Sequence, residues 1–205
     1  MLETLKITKF LEKVAAGSAV PGGGSVAALT AALAASLTEM VANLTVGKKG
    51  YETAEKDMRV IAVKAAELRK KLAKDIDKDA AAYREVLKAF KRNQNTEKEK
   101  DRRTRAIQAA FKNAAHVPLG VARDALGIME LAGKVVRKGN KNAAIDAAVG
   151  TLAARAAVRG ALYNVKTNLN FINDHKFVKE AARQVKALER QAEKKEKEIL
   201  LHVDV

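Results

Sequence analysis

The chain has 205 residues, of which 48% are hydrophobic but only 4% aromatic, so its core must be built from Ala, Leu, Val and Ile. Twelve Gly and two Pro are too few for the frequent turns of an all-β sandwich. The formal charge of +15 directs attention to anionic partners, while no Cys and three scattered His (His116, His175, His202) argue against disulfides and an ordinary zinc centre.

Met1 to Lys13 is charged every few residues and lacks the apolar run of a signal peptide, which predicts a cytoplasmic protein. The first helix is expected over about residues 4–16, ending at Gly17. A loop through Pro21, Gly22, Gly23 and Gly24 follows, with Ser25 at the N-cap position of a second helix reaching about Thr45. That helix is apolar on nearly every face. Glu39, Asn43 and several hydroxyl residues interrupt it as a membrane span, and a buried bundle helix is the better reading.

From Glu52 to about Arg92 no Gly or Pro occurs, and Met58, Ile61, Ala65, Leu68, Leu72, Ile76, Tyr83, Val86 and Phe90 recur at helical spacing. Thr96 and Glu99 form a capping box for a fourth helix, expected to end near Pro118, with a fifth running on to Lys138 and stopping at Gly139-Asn140. A sixth is expected over about Asn142 to Ile172. Asn173-Asp174 then turns the chain and caps a seventh. The pattern predicts one all-α domain over 1–205, a bundle of about seven mostly long helices with no sheet.

Asp79 interrupts the apolar seam of the long helix, with Asp75 one turn before it. A carboxylate on a buried face, near a second carboxylate, should hold its proton more tightly, as a general acid near neutral pH requires. The alternative is a solvated Asp79, or one paired with Lys78 or Arg84. The three glycines permit close approach of a ligand to backbone amides at a helix start, which favours an anion or carbonyl oxygen; the alternative is a tight interhelical turn. On the sixth helix Gly150, Ala153, Ala157 and Gly160 make a small-residue face, bracketed by Asp146, Asn164 and Asn168. Lys48 and Lys49, beside Tyr51, offer charge to an anion or are simply solvated.

Phe10–Ala15, Pro21–Ala28, Glu39–Val41 and Thr45–Tyr51, followed by Asp77–Tyr83, Thr96–Arg103, Val117–Leu119, Gly139-Asn140 with Asp146, and Asn164-Val165 with Asn168-Leu169, form an ordered set covering nearly the whole chain. This set resembles the formiminotetrahydrofolate cyclodeaminase family, which also includes stand-alone methenyltetrahydrofolate cyclohydrolases. The resemblance implies a dimeric all-helical folate enzyme. Such an enzyme closes 5-formiminotetrahydrofolate to 5,10-methenyltetrahydrofolate with loss of ammonia, or hydrolyses the methenyl compound to 10-formyltetrahydrofolate. It implies a catalytic role for Asp79, and folate-binding roles for Pro21, Gly22, Gly23, Gly24, Ser25, Lys48, Tyr51, Asp146, Asn164 and Asn168. No metal is implied, and no cofactor beyond the tetrahydrofolate substrate, whose polyglutamate tail suits the basic surface. Ile145 stands where the family usually has Ser, and Lys166-Thr167 stand where an apolar residue is usual. A basic helical nucleic-acid-binding protein is the rival reading, opposed by interleaved acids and scarce aromatics. A folate-binding bundle without turnover is another.

Overall fold

The computed structural model describes residues 1–203, and among these the regular structure is entirely helical. Six α-helices form it: α1 (Ile7–Ala15), α2 (Gly23–Asn43), α3 (Glu55–Phe90), α4 (Glu97–Lys138), α5 (Ala144–Leu169) and α6 (His175–Leu200). Single 3-10 turns, Glu52–Ala54 and Lys141–Ala143, lead into α3 and α5. The all-α expectation holds, with six helices in place of about seven.

The difference lies at Pro118, which does not end a helix but sits inside the 42-residue α4. A proline in a helix interior leaves the carbonyl four residues earlier without its N–H donor. Here that carbonyl belongs to Ala114, and the side-chain amide of Asn168 on α5 donates to it at 2.9 Å. A tertiary hydrogen bond thus replaces the missing local one, and the helix continues.

The other boundaries follow local chemistry. Thr96 and Glu99 form the expected capping box at the start of α4, and Asp174 caps α6 by accepting the Phe177 N–H at 3.0 Å. α3 runs as one element of 36 residues with no break. The second helix starts three residues earlier than expected. Gly22 takes the N-cap position with no side-chain cap, and Ser25 lies within the first turn, its hydroxyl directed instead to α3.

α2 to α5 pack on one another, and α6 lies along α4 and α5. α2 is long and apolar enough to cross a bilayer by composition, yet its Ala27, Ala28, Ala31, Ala34, Ala35 and Ala42 are buried against the neighbouring helices. Such small side chains let helix axes approach closely. α2 and α5 run antiparallel: Gly23 lies beside Asn164, Gly160 beside Ala27, and Gly150 beside Ala34 and Leu37. A Cβ at Gly150 would stand 3.3 Å from that of Leu37, so glycine sets the separation there. This antiparallel pairing puts the start of α2 beside the end of α5.

Candidate functional site

At that end of the bundle, Gly23, Gly24 and Ser25 form the first turn of α2, where backbone N–H groups have no intrahelical acceptor. Asp79 of α3 faces this turn. Ser25 Oγ lies 2.9 Å from Asp79 Oδ2, where it donates, and 3.1 Å from the Ile76 carbonyl. The Ser25 backbone N–H also favours the ionised carboxylate. A Cβ on Gly24 would overlap the Asp79 carboxylate, so only glycine admits it this close to the helix start.

Burial pushes the Asp79 carboxyl above its ordinary value of 3.8, against the opposing pull of the Ser25 hydroxyl and N–H. The direction matches the expectation, but the cause is narrower. Asp75 is turned to Lys78, with which it pairs at 2.5 Å, and it does not figure among the causes of the shift. Lys78 is thereby committed to Asp75.

Asp79 opens into a cavity of about 160 Å³. The glycine loop forms one wall, with Ala19 and Val20 behind it; Asp79 and Tyr83 of α3 form the second; Ala114 of α4 and Asn164, Thr167 and Asn168 of α5 close it. Pockets that enclose a drug-sized ligand run to about 300–1,000 Å³. This one has room for only one end of such a molecule.

The asparagines have a defined orientation. Asn164 Nδ2 donates to the Gly160 carbonyl at 2.9 Å, and Asn168 Nδ2 donates to the carbonyls of Asn164 and Ala114, each at 2.9 Å. Carbonyl oxygens only accept, so the nitrogen of each amide must face them. The Oδ1 atoms are left to accept from a ligand. The cavity thus offers N–H donors from the start of α2, amide oxygens from α5, and one carboxyl that holds its proton more tightly than usual.

The expected site residues divide into two groups. Gly22, Gly23, Gly24, Asp79, Asn164 and Asn168 line the one cavity. Pro21, buried after a cis peptide bond, and Ser25, fully buried, support that wall from behind. Lys48, Tyr51 and Asp146 lie elsewhere. Lys48 Nζ donates to Asn140 Oδ1 at 3.0 Å, and the Tyr51 hydroxyl accepts the Lys141 N–H at 3.0 Å. Asp146, in the first turn of α5, is separated from Asn164 by about 27 Å of helix at ~1.5 Å per residue. Within one chain these three lie outside the cavity that Asp79 lines. Of the two departures noted in the sequence, Ile145 is 59% exposed and outside the cavity, whereas Thr167 lines it.

Tyr83, Ala114 and Thr167 also line the cavity and were not among the expected site residues. Tyr83 stands one turn beyond Asp79 but reads as part of the apolar seam. Pro118 was the available signal for Ala114, because a proline marks the carbonyl four residues before it.

Comparison with known proteins identifies the family. Residues 6–187 match the family model described as formiminotransferase-cyclodeaminase. The methenyltetrahydrofolate cyclohydrolase of Methylorubrum extorquens is 38% identical over 182 residues, which are 89% of this chain and 88% of that protein. The formimidoyltransferase-cyclodeaminase of Rattus norvegicus is 34% identical over 183 residues, 89% of this chain but 34% of the longer rat protein. The crystal structure of formiminotetrahydrofolate cyclodeaminase from Thermotoga maritima superposes with a TM-score of 0.90 at 33% identity, covering 99% of this chain and 98% of that one. With the match extending over nearly all of both sequence and backbone, the chain belongs to the formiminotransferase-cyclodeaminase family.

Proposed function

We propose that this protein is a folate one-carbon enzyme working at the 5,10-methenyl level. It forms 5,10-methenyltetrahydrofolate from 5-formiminotetrahydrofolate with release of ammonia, hydrolyses the methenyl compound to 10-formyltetrahydrofolate, or does both. The observation that carries this reading is Asp79, a partly buried carboxyl with raised proton affinity, set against the glycine turn and facing the cavity. The names and extent of the matched relatives supply the substrate class.

Both reactions need one proton moved. In the deamination, the N10 nitrogen attacks the formimino carbon and the leaving nitrogen must be protonated before it departs as ammonia. In the hydrolysis, water adds to the methenyl carbon and loses one proton; the remaining hydroxyl proton then leaves as the formyl C=O forms, and the bond from that carbon to N5 breaks as N5 is protonated. Asp79 takes the role of general acid and base in either direction. The N–H groups at the start of α2 orient an oxygen of the ligand, and Asn164 and Asn168 accept from its N–H groups. The reaction as proposed runs without a metal or any cofactor beyond the folate.

Because the cavity holds only one end of such a molecule, the aminobenzoyl and glutamate parts extend outside. The net +9 of residues 46–113 (20 basic and 11 acidic) attracts a polyglutamate tail. We also propose a cytoplasmic homodimer; the dimer is supported by Leu33 and Met40 of α2, Leu44 just beyond its end, and Ile145, Val149 and Leu152 of α5, all exposed along adjacent antiparallel helices.

The methenyl chromophore provides the test. Absorbance should rise on adding 5-formiminotetrahydrofolate if the chain is a cyclodeaminase, and decay of added methenyltetrahydrofolate should accelerate if it is a cyclohydrolase. No change with either substrate would leave a non-catalytic bundle; steeply salt-dependent binding of generic DNA with no response to folate would favour the nucleic-acid reading.

A further inference from the structure

Pro118 is buried in the interior of α4, where proline is ordinarily costly. It lies outside the cavity lining, but Ala114, whose carbonyl it deprives of a donor, is one of the residues that line the cavity. Asn168 spends its two amide protons on that carbonyl and on its own helix, at the Asn164 carbonyl. With both protons committed, its Oδ1 cannot exchange places with Nδ2 without facing one oxygen with another.

We propose that Pro118 is a positioning residue of the site: by removing one helical N–H it frees the Ala114 carbonyl to hold the Asn168 amide, so that the amide oxygen faces the ligand. The proline ring also crowds the carbonyl four residues before it, which turns that oxygen out of the helix line and toward α5. A residue with an N–H at position 118 draws the carbonyl back into the α4 ladder. Asn168 is then tied only to its own helix, by one bond in place of two, and its amide is held less firmly. The proline thus costs α4 a local hydrogen bond and gives the cavity a fixed acceptor. The kinetic part of this inference rests on the folate reading above; the structural part does not.

The test uses Pro118→Ala, and Pro118→Val to keep more of the ring's volume, each in the full chain with Asn168→Ala as reference. Without any substrate, the Asn168 side-chain NH2 signals in a 15N-correlated NMR spectrum, assigned by their loss in Asn168→Ala, should shift in both proline variants and exchange faster with water. With folate substrate, KM should rise roughly 5–30-fold, the worth of one or two hydrogen bonds, while kcat stays within about twofold. Pro118→Ala combined with Asn168→Ala should be no worse than Asn168→Ala alone, since both act through one contact. Unchanged Asn168 signals, an unchanged KM in both proline variants, or additive effects in the double variant would each overturn the proposal. A wild-type chain inert toward both folates would sink the proposed function instead, and the amide signals would still decide the role of Pro118.

Discussion

Gly24 and Asp79 show how one residue's chemistry depends on the absence of another's side chain. Gly24 has no unusual φ, and alanine at its place would favour the helix, so its requirement is spatial. Gly24→Ala should keep the helical circular dichroism and displace the carboxylate, lowering turnover by roughly 10²-fold, a loss of the size that misplacing a reacting group by about 1 Å produces. Asp79 itself predicts a pH effect of definite sign. Its carboxyl is raised by burial, so the folded state favours the protonated form. That stabilising contribution is complete below the ordinary value of 3.8 and is lost as pH climbs through the raised value, leaving an ionised group that costs stability at neutral pH. Asp79→Asn should therefore melt above wild type at pH 7, and the gap should close as pH falls toward 3.8. Turnover of the same variant should drop by at least about 10²-fold. Near-normal turnover, or a variant less stable than wild type at pH 7, would remove Asp79 from its role.

At the scale of elements, the local signals read correctly are those whose partners are close in sequence. Thr96 and Glu99 are three residues apart and satisfy each other, as do Asp174 and Phe177. Pro118 and Ser25 were misread for the converse reason. The Ala114 carbonyl finds its donor 54 residues away on α5, and the Ser25 hydroxyl finds its acceptor 54 residues away on α3. A helix survives an internal proline when a neighbouring helix supplies the missing donor. Ser25 forgoes capping because Asp79 and the Ile76 carbonyl are within reach.

For the molecule as a whole, the exposed apolar side chains of α2 and α5 form the surface expected to meet a second copy. Leu33 is 54% exposed, Ile145 59% and Val149 50%, with Leu44 just past the end of α2 at 50%, and the antiparallel pairing of α2 and α5 gathers them. Isologous dimers bury such patches against themselves. Val149→Lys should convert a dimer to a monomer in light scattering without loss of helicity, and a wild-type chain that already runs as a monomer would contradict the dimer. The charge is likewise a property of the whole: the net +9 falls on residues 46–113, which include Asp79, while residues 1–45, including the glycine loop, carry three charges of each sign.

The sequence alone determined the helical class, the long α3, the caps and the identity of Asp79 as an anomaly, because each follows from periodicity or from neighbours a turn apart. The ordered motifs added the family. Only the tertiary structure decided that Asn164 and Asn168 share a cavity with Asp79 while Lys48, Tyr51 and Asp146 do not, since 18 residues of rigid helix separate Asp146 from Asn164. It also narrowed the raised proton affinity of Asp79 to burial, because the degree of burial depends on the packing of neighbouring helices, and the spacing of two aspartates does not say that Asp75 pairs with Lys78.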